Sequence, residues 1–400
     1  MTFKSWLMTN KQTLFHRIIF GSSIAHFAND LSVMLISATL PLVAQEFQLN
    51  YAMAGLIVTS IILLMNILQT FVGYIASRTD KLIPLLVSGL ITISAASFLV
   101  SLSADYIHLI FFQSLIGVGA SVYHPVSYSL LSNIHRIRDR RKALGYVTAS
   151  GDSAVPFAFL VSGFLAPLFG WRTIYILWGS AVLITAFVVF YVIGKCYENV
   201  YNRSTFYANK FVIKDISKLT PLILIVFLLA ANYRVISSFT VFYLTDLGMP
   251  FESANLTVVF MMIIGTIGAA LSGTLTNKIG EKNVTVTFCV ILTLTSIITT
   301  SIDNAYLLIP IICIIGYSLV GIWPTLYSYI AKAANKNFVA LTYGMIFTLG
   351  WGGGALFPYV AGMIADFLGL KSIYLIVAIL SFMATVIAYL KLENSDFLTN

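Results

Sequence analysis

The chain has 400 residues, of which 59% are hydrophobic and only 10% are charged, and its mean hydropathy is +0.92. A soluble domain carries about 25% charged residues, so this composition excludes a soluble globular protein. The three cysteines, Cys196, Cys289 and Cys313, provide neither a disulfide framework nor a metal-binding motif. The net charge of +8 would suit a nucleic-acid partner, but the positions of the basic residues argue against one.

Twelve apolar stretches are long enough to cross a bilayer, which takes about 20 residues. In chain order, spans 1 to 12 are 14–43, 52–77, 82–103, 106–131, 143–168, 172–194, 218–245, 253–277, 284–302, 305–331, 339–365 and 370–390. The first stretch is too long for the core of a signal peptide and lacks a small-residue cleavage site, so we expect no cleavable signal peptide.

A polar segment, 196–217, separates the first six spans from the last six. We therefore predict an N-terminal six-helix bundle over 1–195, a cytoplasmic central loop over 196–217 and a C-terminal six-helix bundle over 218–400. With both termini in the cytoplasm, 20 of the 23 Lys and Arg residues lie on the cytoplasmic side. Cytoplasmic loops of membrane proteins are enriched in Lys and Arg, so the basic charge indicates orientation rather than nucleic-acid binding.

The second half of the chain repeats the first at an offset of about 200 residues. The matching pairs are "GYIASRTDK" (73–81) with "GTLTNKIGEK" (273–282), "VYHPVSYS" (122–129) with "IWPTLYSY" (322–329), and "FGWRTIYIL" (169–177) with "LGLKSIYLI" (368–376). An even number of spans in each half gives both halves the same orientation, so the pattern predicts two parallel six-helix repeats.

Several motifs carry a resemblance to a known family. They are "AHFAND" (25–30) in span 1, "GVGASVYHPVS" (117–127) in span 4, "SSFTVFYL" (237–244) in span 7, "TLGWGGGALFP" (348–358) in span 11 and the loop "GYIASRTDK". On these motifs the chain resembles the major facilitator superfamily along its whole length, and within it the fosmidomycin-resistance group of efflux transporters. It departs from that group at Val126, where the group has Glu, at Ser77 and Asp80 in the loop, and at Asp152, where the group has Asn.

The resemblance implies an all-α integral membrane protein with the twelve-helix major facilitator fold. It also implies that spans 1, 4, 7 and 10 line the transport cavity and that span 5 borders it. Five ionisable residues lie deep in spans 1, 4, 5 and 7, and none lies in a span expected to face lipid; they are His26, Asp30, His124, Asp152 and Arg234. Ionisable residues inside a membrane are costly and usually functional.

His26 and Asp30 are four residues apart and therefore share one helix face. We predict that Asp30, His26 and Asp152 carry proton coupling. Because arginine keeps its charge and clamps oxyanions with a planar fork, we predict that Arg234 binds the cargo. The other predicted cargo contacts are His124, Tyr123, Tyr233, Trp323 and Trp351, and the predicted gating residues are Gly73, Arg78, Lys81, Gly350 and Gly353.

Each assignment has a structural alternative. Asp30 and Arg234 could pair only to hold the two halves together, His26 could simply hydrogen-bond Asp30, and His124 could satisfy backbone freed by Pro125. Asp152 could latch the neighbouring basic loop. The aromatic residues and the glycines could serve only helix packing.

The leading functional hypothesis is a secondary active transporter that exports a small anionic or amphiphilic compound by alternating access and is driven by protons. The alternatives are a proton-coupled symporter for a small organic anion and a transporter of a metal ion or metal chelate. An enzyme is disfavoured, because no nucleophile triad, zinc-protease motif or phosphate loop is present. We expect no cofactor, no resident metal and no nucleic-acid partner, and we expect a monomer in the cytoplasmic membrane.

Overall fold

The computed structural model describes residues 3–132, 137–194, 216–333 and 346–393, and these residues form helices joined by short turns. The α-helices are Phe3–Phe47, Tyr51–Arg78, Leu82–Ser101, Tyr106–Ala120, Tyr123–Ser132, Ile137–Phe169, Trp171–Val189, Ile216–Asp246, Phe251–Thr300, Ala305–Gly321, Trp323–Ala333, Phe357–Leu368 and Lys371–Lys391. Two π-helices, Phe190–Gly194 and Phe347–Trp351, and one 3-10 helix, Gly354–Leu356, complete the set.

Within these residues, ten helical segments are long and apolar enough to cross a membrane, two fewer than the predicted spans. Spans 8 and 9 appear as one helix, Phe251–Thr300, which breaks at Gly280, where φ is 81°. That backbone conformation strains any residue with a Cβ. Span 11 is divided among a π-helix, a 3-10 helix and a short α-helix, and its start lies outside the described residues. The joining of spans 8 and 9 and the division of span 11 therefore account for the difference between ten helical segments and twelve predicted spans. The all-helical membrane fold is confirmed.

The internal repeat extends to details of the backbone. Span 4 breaks between Ala120 and Tyr123, and span 10 breaks between Gly321 and Trp323. The turns before spans 6 and 12 both contain a glycine with positive φ, Gly170 at 79° and Gly369 at 78°. The two breaks place His124 and Trp323 at matching positions, each in the first turn of the helix that follows.

The chain divides into two compact units. The first contains Met1–Ile36 and Ser60–Ala208, and the second contains Ser37–Thr59 and Asn209–Asn400. Span 1 and span 2 therefore contribute their adjoining ends to the second unit. The predicted boundaries at 195 and 218 stay a prediction, because the central loop lies almost entirely outside the described residues.

In the first unit, small residues let helices of spans 3, 4 and 6 approach closely. A Cβ at Gly89 would lie 2.8 Å from the Gly119 carbonyl oxygen, and Ser94 donates a 2.7 Å hydrogen bond to the Gly179 carbonyl. Small residues at helix interfaces are the usual means of close packing in membranes.

In the second unit, the start of span 2 is anchored on span 11. The Asp366 carboxylate accepts hydrogen bonds from the backbone N–H groups of Tyr51, at 2.8 Å, and Ala52, at 3.1 Å. Free N–H groups and the helix dipole favour a negative charge at a helix N-terminus. Thr59 extends the contact by accepting a 3.2 Å hydrogen bond from the backbone N–H of Tyr359.

Candidate functional site

The first candidate site lies on span 1, where His26 and Asp30 share a helix face as predicted. Nε2 of His26 lies 3.2 Å from Oδ2 of Asp30, and Asn29 donates a 2.9 Å hydrogen bond to Oδ1. His26 is 8% exposed, whereas the Asp30 side chain is 27% exposed. The pair therefore joins a buried imidazole to a carboxylate that solvent reaches.

Span 5 supplies a backbone contact to the imidazole. Nδ1 of His26 donates to the Val147 carbonyl oxygen at 2.7 Å. Gly151, one turn further along, leaves space for the ring, because a Cβ there would lie 2.6 Å from Nδ1. Ser150 adds a 2.7 Å hydrogen bond to the Ser23 carbonyl, so two hydrogen bonds join spans 1 and 5.

Span 4 closes the site with two aromatic rings. His26 stacks on Tyr123 with ring centroids 4.5 Å apart, and the Tyr123 hydroxyl donates a 2.9 Å hydrogen bond to the Ser22 carbonyl. His124 lies edge-on to His26 at 5.2 Å, with its Nε2 3.9 Å from Oδ1 of Asp30. The donor atoms of His26, Asp30 and His124 lie within 4.8 Å of one another. Sequence reasoning grouped these side chains through the cavity-lining spans, and the structure brings them together.

Asp152 follows Gly151 directly and is solvent-exposed. Its carboxylate acts electrostatically on His26, so a second negative charge, on span 5, influences the imidazole. Tyr123, by contrast, is 2% exposed and its hydroxyl is used in packing. Its predicted contact with cargo stays a prediction.

The second candidate site lies in the other unit and combines a cation with aromatic rings. The Arg234 guanidinium lies 5.3 Å from the ring centroid of Trp351, within range of a cation–π interaction. Trp351 contacts Trp323 at 4.5 Å and Tyr233 at 5.6 Å between ring centroids. All four predicted cargo contacts of spans 7, 10 and 11 therefore form one cluster.

This cluster contains buried polar atoms without a hydrogen bond. Among the described residues, Nε1 of Trp323 and Nε1 of Trp351 have no hydrogen-bond partner. Trp323 is only 7% exposed. A buried polar group without a partner costs about 1–3 kcal/mol, so these positions suit a ligand that supplies acceptors.

The glycines of span 11 pack against span 7 and set the position of Trp351. A Cβ at Gly350 would lie 2.5 Å from Val226 Cγ1, and one at Gly353 would lie 2.6 Å from Phe227 Cδ2. The π-helix Phe347–Trp351 ends at Trp351 itself, and π-helical turns are frequent at functional sites. The structure thus shows the close-packing role of Gly350 and Gly353, while their gating role stays a prediction.

The remaining predicted gating residues lie at the end of span 2. A Cβ at Gly73 would meet Pro125 at an ordinary 3.7 Å, so the space there does not require a glycine. Arg78 places its guanidinium 4.3 Å from the ring centroid of Tyr74, and both Arg78 and Lys81 are exposed. The gating role of these three residues stays a prediction.

Sequence reasoning missed three contributors. Val147 acts through its backbone carbonyl, for which a side-chain motif gives no signal. Gly151 has no side-chain chemistry to mark it, and Asp366 pairs with a segment 315 residues away in the sequence. A deep glycine beside an ionisable residue, as in Gly151 and Asp152, is the signal that would have pointed to the span 5 contact.

The sequence matches a known protein family over most of its length. The model described as Major Facilitator Superfamily matches residues 22–358. The chain belongs to the major facilitator superfamily. As a superfamily member it is a multi-pass membrane protein that transports small molecules, and it is not an enzyme.

The individual relatives share low sequence identity with the chain. The chain is 24% identical to the fosmidomycin resistance protein of Escherichia coli K12 over 96% of this chain and 94% of that protein. It is 24% identical to multidrug resistance protein 2 of Bacillus subtilis 168 over 90% of each. A crystal structure of a bacterial homolog of the human lysosomal transporter Spinster, titled as inward-facing and occupied, matches with a TM-score of 0.78. That match has 14% identity and covers 94% of this chain and 96% of the other, and so supports the superfamily fold alone.

Proposed function

We propose that this superfamily member is a proton-coupled exporter of small anionic or amphiphilic compounds that works by alternating access. It acts in the cytoplasmic membrane as a monomer with both termini in the cytoplasm. One observation carries the proposal: Asp30 and His26 form a hydrogen-bonded pair inside span 1. Histidine titrates near neutral pH, and ionisable pairs inside membranes mark proton and substrate pathways.

Arg234 and the tryptophans support an anionic or acceptor-rich cargo. Arginine binds carboxylate, phosphate and phosphonate groups through two parallel N–H groups. The indole N–H groups of Trp323 and Trp351, which lack acceptors among the described residues, would donate to further oxygens of the cargo. Their ring faces would cover its apolar part.

The efflux direction is supported by the two relatives named for resistance to fosmidomycin and to multiple drugs. Fosmidomycin, which carries a phosphonate group, fits the charge of the Arg234 cluster and is the first cargo to test. Uptake by symport with protons is the alternative, and the direction of cargo movement under an imposed pH gradient separates the two.

The test uses Asp30→Asn in proteoliposomes, with fosmidomycin as the probe. The amide mimics a permanently protonated carboxyl group. We expect the variant to exchange labelled fosmidomycin across the membrane at no less than a third of the parent rate. We also expect the variant to lose accumulation of fosmidomycin against its gradient when a pH difference is imposed, because residue 30 can no longer bind and release a proton.

Asp303→Asn is the matched control, because Asp303 is an exposed carboxylate whose described partner is Lys371. It should accumulate cargo like the parent. If Asp30→Asn still concentrates cargo under a pH gradient, the coupling proton travels elsewhere. If the parent itself responds to no pH gradient, proton coupling is wrong, and accumulation in the same direction as proton flow would establish symport.

A further inference from the structure

The hydrogen bond from His26 to span 5 determines which ring nitrogen always carries a proton. A carbonyl oxygen only accepts hydrogen bonds, so the 2.7 Å contact with Val147 requires a proton on Nδ1. The tautomer of a neutral histidine is set by the partner of one ring nitrogen. Here that partner is backbone, which has no protonation equilibrium of its own. In the neutral ring, Nε2 is therefore the unprotonated nitrogen.

Nε2 faces Oδ2 of Asp30 at 3.2 Å. An ionised carboxylate has acceptors only, and so does the Nε2 of a neutral ring protonated on Nδ1. Two acceptors at this distance repel each other unless a proton lies between them. The described arrangement therefore holds one dissociable proton, on Nε2 or on Asp30, in addition to the fixed proton on Nδ1.

Gly151 makes this arrangement sterically possible. A Cβ at position 151 would lie 2.5 Å from Nε2 and 2.6 Å from Nδ1 of His26, closer than non-bonded atoms approach. Val147 and Gly151 lie one helical turn apart, so the ring rests on a single turn of span 5. The Val147 carbonyl has a second lone pair for its ordinary intrahelical bond, and no helix hydrogen bond is sacrificed.

We propose that Val147 and Gly151 are positioning residues of the proton site, which hold His26 in the tautomer that presents Nε2 to Asp30. This inference rests on the proposed proton coupling. The proton leaves Nε2 of the imidazolium for Asp30 or water, and the neutral ring keeps its Nδ1 proton. Any movement of span 1 away from span 5 breaks the Val147 bond, frees the tautomer and changes the affinity of the pair for its proton.

The surroundings of the ring act on the same equilibrium. Among the described residues of this unit, the titratable groups that contact His26 or Asp30 or act on them electrostatically are His124, Tyr123 and Tyr128 on span 4 and Asp152 on span 5. None of them replaces the Val147 contact on Nδ1. A change confined to Gly151 therefore tests the position of the ring while leaving these groups in place.

The decisive variant is Gly151→Ala, with Gly145→Ala as the matched control. Both substitutions add one methyl group to the same helix and gain similar helix propensity, but a Cβ at Gly145 meets nothing within 4 Å. We expect Gly151→Ala to shift the midpoint of the pH profile of gradient-driven fosmidomycin transport by at least one pH unit. Equilibrium binding of fosmidomycin should change less than twofold. Gly145→Ala should keep the parent profile.

A second measurement reads the tautomer directly and needs no transport. Nitrogen-15 NMR of histidine-labelled protein, with the His26 signals assigned by their loss in His26→Gln, should show Nδ1 protonated and Nε2 unprotonated in the neutral ring. Gly151→Ala should abolish this preference. If the neutral His26 ring of the parent protein is protonated on Nε2, the proposal is overturned, whether or not the variant folds. An unchanged pH profile in a folded Gly151→Ala variant would also overturn it. If the spectrum is as expected but an imposed pH gradient drives no transport, the positioning of His26 stands and the proposed proton coupling is wrong.

Discussion

At the scale of single residues, Arg234 provides a test of the cargo's charge. Lysine at this position keeps a cation but loses the planar fork, whereas alanine loses both. We expect Arg234→Lys to weaken fosmidomycin binding several-fold. Arg234→Ala should weaken it by about 10-fold or more, since a hydrogen bond to a charged group contributes about 1.5–3 kcal/mol. Binding is measured by isothermal titration or by the ligand-induced rise in melting temperature.

Arg172→Ala is the control for loss of a positive charge, because Arg172 donates to the Ser103 carbonyl in the first unit and lies outside the Arg234 cluster. Trp323→Phe isolates the indole N–H, since phenylalanine keeps an aromatic ring without a donor. It should weaken binding less than Arg234→Ala does. Unchanged binding in Arg234→Ala would show that the arginine supports structure rather than cargo.

Residue-level prediction from sequence succeeded where a side chain carries its own chemistry. His26 and Asp30 were found because helix geometry places residues four apart on one face. The contact of His26 with Val147 was not found, because any residue can supply a backbone carbonyl. The Trp323–Trp351 contact depends on the packing of span 10 against span 11, for which sequence spacing gives no distance.

At the scale of helices, the cap that Asp366 gives to span 2 is open to test. Asp366→Ala removes the acceptor for two backbone N–H groups, and the loss of a helix cap costs about 1 kcal/mol. We expect a melting temperature a few degrees lower. We also expect faster labelling of Val58→Cys, a position that is 3% exposed in the capped arrangement, by a membrane-impermeant maleimide.

The labelling uses a background in which the three native cysteines are replaced by serine. Asp246→Ala is the control, because Asp246 lines the same cleft as Asp366 and Tyr51 but is not the acceptor of the span 2 cap. It should leave the labelling rate of Val58→Cys unchanged. Equal effects of the two substitutions would show that local charge, rather than the cap, holds the start of span 2.

At the level of helices, the sequence predicted well where the apolar membrane spans lie. It predicted less well where one helix ends and the next begins. Apolar runs indicate where a chain can cross a bilayer, and the described helices follow those runs. The near-continuous helix from span 8 into span 9, broken only by the kink at Gly280, was not predicted, since the polar loop around Lys278 and Lys282 resembles a connection. The irregular turns of span 11 follow from its glycines, which favour close packing with span 7 over a regular helix.

At the scale of the whole molecule, the orientation in the membrane rests on the distribution of Lys and Arg. Glu252 and Lys278 offer a direct test, because both are exposed and both lie on the Phe251–Thr300 helix before its break at Gly280. They are 26 residues apart, or about 39 Å at 1.5 Å per residue. This exceeds the roughly 30 Å hydrocarbon core, so the two positions must lie on opposite sides of the bilayer.

In the cysteine-free background, Glu252→Cys should react with an impermeant maleimide added to intact cells, and Lys278→Cys should react only after the cells are permeabilised. The reason is the positive-inside bias, which predicts that Lys278 and Lys282 lie in the cytoplasm and that only Arg172 and Lys371 lie in the outer loops. Labelling of both variants after permeabilisation shows that each thiol is reactive. The reverse pattern in intact cells would place both termini outside and overturn the predicted orientation.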